Sequence, residues 1–205
     1  MKKTSGYDQI YITLLPRLAN CDIAESAKRL GLEFRDGAAR VNFLSREYRI
    51  DQNGVTPTDG GPAVFINNRS VLIYYILSEG AGQPSYSFSP LFRLTGMIAG
   101  QNAQSNGIMN DPMVKKFSGK VDLLNSALIQ LGAVEQTPEP GSWSWIIHPL
   151  PKIPVKIVYY EADDEFPADI DILFDDTAPR FMEFECLAFL CGCLISAVVE
   201  IAFPS

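Results

Sequence analysis

Histidine and long apolar runs are scarce in this sequence of 205 residues. His148 is the single histidine, so every histidine-based triad or metal site would depend on it alone, and we expect it to be a structural or surface residue. No Gly-Lys-Ser/Thr and no strand-borne Gly-x-Gly-x-x-Gly series occurs, which argues against the common phosphate-binding loops. The best apolar run, Cys186–Val199, stops at Glu200, short of the roughly 20 residues that cross a bilayer. The sequence therefore predicts a soluble protein without a membrane partner.

Basic charge is also lacking. The net charge is -7, and eight carboxylates lie between Glu161 and Asp176 without any lysine or arginine among them. We call this stretch the acidic block; outside it the chain is close to neutral. The one basic cluster, Lys115, Lys116 and Lys120, is too small for the many phosphate contacts that nucleic-acid affinity requires. We therefore expect no nucleic-acid partner.

The spacing of the four cysteines in the sequence argues against both a disulfide framework and a metal site. On a helix, Cys186 and Cys191 would lie about 140° apart, and Cys191 and Cys193 about 200° apart, at 100° per residue. Cysteines whose thiols cannot meet at one metal ion usually serve as small apolar core residues. We therefore predict reduced cysteines, no metal and no cofactor. The first 21 residues superficially resemble a bacterial export signal, but Asp8 and Pro16 interrupt the apolar stretch that such a signal needs. We therefore expect a cytoplasmic location.

Apolar spacing predicts an α+β fold. A helix near Tyr7–Leu18, a second from Ile23 capped by Asp22 and ended by Gly31, and a buried helix over Asn67–Glu79 make the front half mainly helical. A slip in alternation predicts a turn or a bulge near Ser45, and Asp51–Pro62 has the composition of turn and loop. Further predicted elements are a loop over Gly96–Asn110, a helix starting at Asp111-Pro112, a helix over Val121–Leu131, strands at Trp143–His148, Val155–Glu161 and Ile170–Phe174, and an apolar helix over Glu183–Ile201.

Helices that precede the strongest strands favour α+β over a doubly wound sheet. The back half should hold an antiparallel or mixed sheet, packed by the long apolar C-terminal helix. We expect a single domain over residues 1–205, whose front (about 1–135) and back (about 140–205) halves could behave as lobes. Val71, Leu72, Tyr75 and Ile76 are the predicted core of the buried helix.

Three segments carry a family resemblance: Leu72–Leu77, Pro151–Val155 and, most specifically, a block from Tyr160 through Phe166-Pro167 to Leu173–Asp175. In these the chain resembles a family of uncharacterised proteins from anaerobic bacteria and archaea that carries a domain of unknown function. Relatives commonly have His-Tyr where this chain has Tyr74-Tyr75. Some longer relatives resemble iron-sulphur proteins through a cysteine-rich segment that these 205 residues do not contain. The resemblance implies a fold and no reaction.

The acidic block supplies most of the candidate site residues. Carboxylates bind hard cations, but the spacing is not that of a calcium loop, and Asp169 and Asp171 alternate with isoleucines as on the wet face of a strand. Glu161 and Glu165 flank the turn closed by Phe166-Pro167, and we expect one of them to accept backbone donors or a ligand while Asp163 and Asp164 stay solvated. The candidate binding residues are Glu161, Glu165, Asp175 and Trp145; no catalytic residue can be assigned.

Two functions remain open from the sequence. The first is an accessory module that binds a small molecule or a basic protein surface. The second is an enzyme that uses Glu161, Glu165 or Asp175 as acid, base or cation ligand. Two of these carboxylates buried close together would favour the enzyme, whereas an open acidic surface would favour the binding module. The oligomeric state is not predicted.

Overall fold

The computed structural model describes residues 6–61, 66–94 and 112–204, and within them the chain is α+β, as predicted. The helices are α1 (Gly6–Ala19), α2 (Ile23–Leu30), α3 (Ile66–Leu77), α4 (Leu91–Leu94), α5 (112–117), α6 (Val121–Gln130) and α7 (Phe184–Ala202), with a 3-10 turn at Ala178–Arg180. The strands are β1 (Glu33–Arg35), β2 (Ala38–Phe43), β3 (Arg46–Asp51), β4 (Gly54–Pro57), β5 (Phe88–Pro90), β6 (Val134–Glu135), β7 (Ser142–Leu150), β8 (Ile153–Tyr160) and β9 (Asp169–Asp175).

The first antiparallel sheet has the order β1-β2-β3-β4. Leu44 and Ser45, both with positive φ, form the two-residue turn between β2 and β3, which confirms the turn near Ser45. The prediction of loop throughout Asp51–Pro62 is wrong for its central part. Gly54 follows Asn53 in a hairpin turn, and β4 then pairs with β3, because an Asn-Gly pair after a strand is a hairpin signal as much as a loop signal.

The second sheet has the order β5-β9-β8-β7-β6 and is antiparallel. Its three long strands confirm those predicted from alternation. The register of β7 and β8 shifts between Ile147 and Leu150, so the strand bulges at His148-Pro149. The edge strand β5 comes from the front of the chain and pairs with β9, so both halves of the sequence build this sheet.

The central helix is α3. It packs against α1, α2, α7 and β4, and the predicted core residues Val71, Leu72, Tyr75 and Ile76 are each at most 1% exposed. The Tyr75 hydroxyl accepts a hydrogen bond from the Lys152 backbone N–H at 3.1 Å, which fixes the β7–β8 turn to the helix. The prediction of a buried helix in the centre of the fold is therefore confirmed. The predicted loop at Gly96–Asn110 lies outside the described residues.

The short helix α2 confirms its predicted caps. The Asp22 Oδ1 accepts a hydrogen bond from the Glu25 N–H at 3.0 Å, and Gly31 adopts a left-handed conformation with φ of 70°. The preceding helix α1 continues past Pro16 to Ala19. Local capping chemistry thus sets the boundaries of α2 that the sequence indicated.

The apolar helix α7 packs chiefly against α6 and α3. Its buried face is Cys186, Leu187, Leu190, Cys191, Leu194 and Val198. In the described part of the chain, α7 is the one helix long and apolar enough to cross a membrane by length and composition: its best 18-residue window has a mean hydropathy of 2.1, and 33% of that window is buried. The helix is longer than the uninterrupted apolar run Cys186–Val199, because it begins at Phe184 and continues through Glu200 to Ala202.

All four cysteines are free, and three of them lie on α7. Burial raises the pKa of Cys191 to about 12 and of Cys186 and Cys193 to about 11. Since the thiolate is the reactive form, we expect iodoacetamide at pH 8 to alkylate these three thiols only when the protein unfolds. Mass spectrometry of the native protein, with a Cys21→Ser variant to remove the one cysteine off α7, measures this. Rapid labelling of α7 in the folded variant would contradict it.

Candidate functional site

A groove of about 1070 Å³ lies at one end of the second sheet. Its walls are the turn before β7, the end of β8, the turn from Glu161 to Ala168, the start of β9 and Val114 of α5. Strand pairing brings these walls together, because Tyr160 lies opposite both Ser142 and Asp169 in the antiparallel register. The Glu161 N–H also donates to the Gly141 carbonyl at 3.0 Å. We call this cavity the acidic groove.

The described residues that line the acidic groove include four carboxylates and no lysine or arginine; the carboxylates are Glu139, Glu161, Asp163 and Asp169. The five salt bridges of the described residues all lie in the first sheet and the segment after it, so none of them neutralises the groove. Burial, followed by the nearby charges of Asp171, Asp169 and Glu139, raises the pKa of the Tyr160 phenol. Burial and then Asp169 raise the pKa of Asp171. The groove therefore carries a negative field that no salt bridge between described residues neutralises, and its phenol stays protonated.

Two aromatic side chains stand exposed in this field. Phe166 is 67% exposed and is the most exposed large hydrophobic side chain of the described residues, while Tyr160 is 42% exposed. Phe166 is at the tip of a turn between carboxylates, where a purely solvating surface would use polar residues. Exposed aromatic rings among carboxylates can bind a cation in two ways at once: the ring faces contact the cation, and the carboxylates attract its charge.

The turn that presents Phe166 is held by Asp163. Its Oδ1 accepts hydrogen bonds from the Glu165 N–H at 2.8 Å and the Phe166 N–H at 2.7 Å, and the Asp163 N–H donates to the Phe166 carbonyl at 3.0 Å. These hydrogen bonds lower the pKa of Asp163. Asp163 therefore takes the backbone donors that we expected Glu161 or Glu165 to accept, and a ligand at either glutamate stays a prediction. An aspartate side chain can accept hydrogen bonds from the backbone N–H groups two and three residues later in the chain, whereas a glutamate side chain is too long for this local turn.

The role of Asp163 is testable by substitution. We expect Asp163→Ala to lower the Tm more than Asp164→Ala, because only the first removes an acceptor of two turn N–H groups. Thermal unfolding by circular dichroism measures both, with Glu165→Gln as a control that keeps the turn. The same shift from all three substitutions would mean that the turn does not depend on the Asp163 carboxylate.

Asp175, another candidate, lies at the far end of β9 and is fully buried. Its oxygens accept hydrogen bonds from Thr177 N–H at 2.9 Å and hydroxyl at 2.6 Å, from Ser85 N–H and hydroxyl at 3.2 Å each, and from the Tyr86 N–H. Burial alone would raise the pKa of Asp175, but the hydrogen bonds from Thr177, Ser85 and Tyr86 outweigh it and lower that pKa below its usual 3.8. Asp175 is a structural anchor that no ligand can reach.

The anchor holds Tyr86 in an unusual conformation. Tyr86 has a φ of 57°, rare for a bulky residue, and its side chain is 55% exposed. The Tyr86 hydroxyl lies 3.3 Å from Nε2 of His148, at the β7 bulge, where partial burial lowers the pKa of the imidazole. The single histidine is therefore a surface residue paired with a tyrosine, in agreement with the expectation of a structural or surface role.

Trp145 belongs to the core. It is fully buried, and its indole N–H donates to Asn125 Oδ1 at 2.8 Å, so it is not accessible to a partner. Of the candidate residues, the structure thus places Glu161 in the groove and Glu165 in the exposed turn beside it, and sets Asp175 and Trp145 apart from both. The sequence did not single out Phe166 and Tyr160 as site residues, although an aromatic residue within an acidic turn was a usable signal.

One family model matches the chain. It is described as Domain of unknown function (DUF3786) and covers residues 22–197, which include the whole second sheet and the acidic groove. This confirms the resemblance to an uncharacterised family. No curated protein and no solved structure matches the chain.

Proposed function

We infer that this chain, which belongs to the DUF3786 family, is a binding module that docks a basic segment of a partner protein in the acidic groove. The observation that carries the proposal is the exposure of Phe166 among carboxylates, in a groove whose described lining contains no lysine or arginine. A lysine or arginine side chain satisfies both features, because its head neutralises the carboxylates and also packs over an aromatic ring. Arginine stacks on rings and binds carboxylates in a bidentate manner, so we expect an arginine-containing segment.

The arrangement of the carboxylates supports a binding module over an enzyme. Glu161 and Glu165 are exposed, and Asp175 is buried at the other end of β9, so no two of these candidates lie together in a closed pocket. Acid–base chemistry by a carboxylate requires burial or a close partner to tune its pKa. An open negative surface instead steers and orients a positively charged partner.

The same charges support the expectation that nucleic acid is not the partner. Within the described part of the chain, two lysines of the small basic cluster are already engaged: Lys116 and Lys120 lie 5.0 and 5.3 Å from the centre of the Phe203 ring. The proposed setting is an anaerobic bacterium or archaeon, as the family resemblance implies, and its cytoplasm, as the interrupted export signal favours.

The proposal is tested with three hexapeptides that alternate leucine with arginine, with citrulline or with glutamate. We expect saturable binding of the arginine peptide by isothermal titration calorimetry, weakening as salt is raised, because exposed charge pairs are screened. The citrulline peptide keeps the shape and lacks the charge, so it should bind roughly tenfold more weakly or not at all. Equal binding of the arginine and citrulline peptides, or no binding of either, would overturn the proposal.

A further inference from the structure

A second cavity of about 340 Å³ lies on another part of the molecule, where the end of α1, the end of α3, the segment 179–183 and the first turn of α7 meet. Ligand cavities usually measure about 300–1,000 Å³, so this one suits a small molecule and not a peptide. It shares no lining residue with the acidic groove. We call it the α7 cavity.

The inner surface of the α7 cavity is apolar. Phe181 and Met182 are 1% and 4% exposed, and the half-buried Leu77 and buried Cys186 complete this surface. Tyr74 adds a half-buried phenol, whose pKa is raised first by burial, so that its hydroxyl remains a neutral donor. A ligand that fits here has an apolar body.

The rim of the α7 cavity carries two charges of each sign, from Arg17, Arg180, Glu79 and Glu183. All four residues are exposed, and in the described ranges none of them forms a salt bridge. Glu183 is the N-cap residue of α7, but its side chain does not cap the helix. Opposite charges that surround one small cavity without pairing to each other are available to a ligand that carries both signs.

One buried hydroxyl of the α7 cavity has no partner. Ser78 lines the cavity, and its Oγ is buried without a hydrogen bond to any described residue. An unsatisfied buried hydroxyl costs about 1–3 kcal/mol, so native proteins rarely keep one without a reason. Because this Oγ is buried from solvent, the Ser78 side chain must turn toward the cavity before a polar group of a bound ligand can supply the missing hydrogen bond.

We propose that the α7 cavity binds a free amino acid with an apolar side chain. The two arginines bind its carboxylate, the two glutamates bind its ammonium group, the Ser78 hydroxyl completes its polar contacts, and its side chain packs on Phe181, Met182 and Leu77. The inference does not depend on the function of the acidic groove.

The test uses L-leucine as the probe in isothermal titration calorimetry. We expect saturable binding of leucine, and roughly tenfold weaker binding of N-acetyl-leucine, leucinamide and glycine, because each lacks one of the three matched features. Arg180→Gln and Glu79→Gln should each weaken leucine binding by a similar factor, whereas Arg35→Gln and Glu33→Gln, on β1, should leave it unchanged. No binding of leucine, or equal binding of leucine and N-acetyl-leucine, would overturn the proposal.

Ser78→Ala separates a ligand role from a structural one. The substitution removes a hydroxyl that has no partner in the ligand-free protein, so we expect the Tm without ligand not to fall while leucine binding weakens. A lower Tm with unchanged leucine binding would contradict the assignment. Phe166→Ala, which alters the acidic groove, should leave leucine binding as it is, so failure at one cavity is distinguishable from failure at the other.

Discussion

Asp175→Ala should destabilise the protein by about 3 kcal/mol, the largest effect that we expect from a single substitution of a charged residue. The substitution leaves the backbone N–H groups of Ser85, Tyr86 and Thr177 without their acceptor, and Thr177 is buried together with Asp175. Urea unfolding followed by circular dichroism measures the loss. Asp176→Ala is the matched control, because that neighbouring carboxylate is exposed. Equal loss of stability from both substitutions would show that Asp175 is not the anchor.

The Asp175 anchor also predicts a pH dependence. Its pKa in the folded protein lies below the ordinary value of 3.8, so the folded state holds the proton less tightly than the unfolded state does. The contribution of Asp175 to stability is then fully present above about pH 4 and is lost as the pH falls through the lowered pKa. The stability difference between the natural protein and Asp175→Asn should shrink on that acidic side. A difference that stays constant with falling pH would contradict this linkage.

Binding of the arginine hexapeptide should fall at least about tenfold in Phe166→Ala, and similarly in the double variant Glu161→Gln with Asp169→Asn. The first change removes the exposed ring, and the second removes half of the groove carboxylates while it keeps their shape. The two changes act on different parts of one contact, namely ring packing and charge. Fluorescence anisotropy of a labelled peptide measures both affinities.

Phe34→Ala is the control for this loss of binding. Phe34 is 44% exposed on β1, beside both Glu33 and Arg35, so its ring stands next to a carboxylate that has a basic partner. We expect the peptide to bind this variant as it binds the natural protein. Equal weakening in Phe34→Ala and Phe166→Ala would mean that the peptide adheres to exposed rings in general.

Local patterns predicted most of the fold because the physics that sets those elements is local. Asp22 and Gly31 cap α2 through groups at most four residues away, and β9 shows the alternation of buried and less buried residues that is typical of a strand. The short strands β1, β5 and β6 were not predicted, since two or three residues hold no period and depend on a distant partner. β5 is an example: it exists because Phe88 pairs with Asp175, which lies 87 positions later in the sequence.

The candidate site was predictable in its charge and not in its geometry. The density of carboxylates is visible in the sequence, and Glu161 does line the groove. Which carboxylate turns inward depends on tertiary contacts: Asp175 is buried because the Ser85 and Tyr86 N–H groups reach it from a loop about 90 residues earlier. Trp145 and Asn125 likewise meet only in the fold. Sequence periodicity does not carry that information.

The most direct test of the acidic groove as the docking site is two-dimensional NMR of the isotope-labelled protein titrated with the arginine hexapeptide. We predict that the largest amide shift changes fall on the groove walls, at Ser142, Tyr160, Glu161 and Phe166, and that they saturate together with one affinity. A second acidic cavity of about 650 Å³, which Asp22, Asp36 and Asp51 line together with Arg49, serves as the internal reference. Shift changes centred on that cavity, or spread evenly over all exposed carboxylates, would contradict docking in the groove.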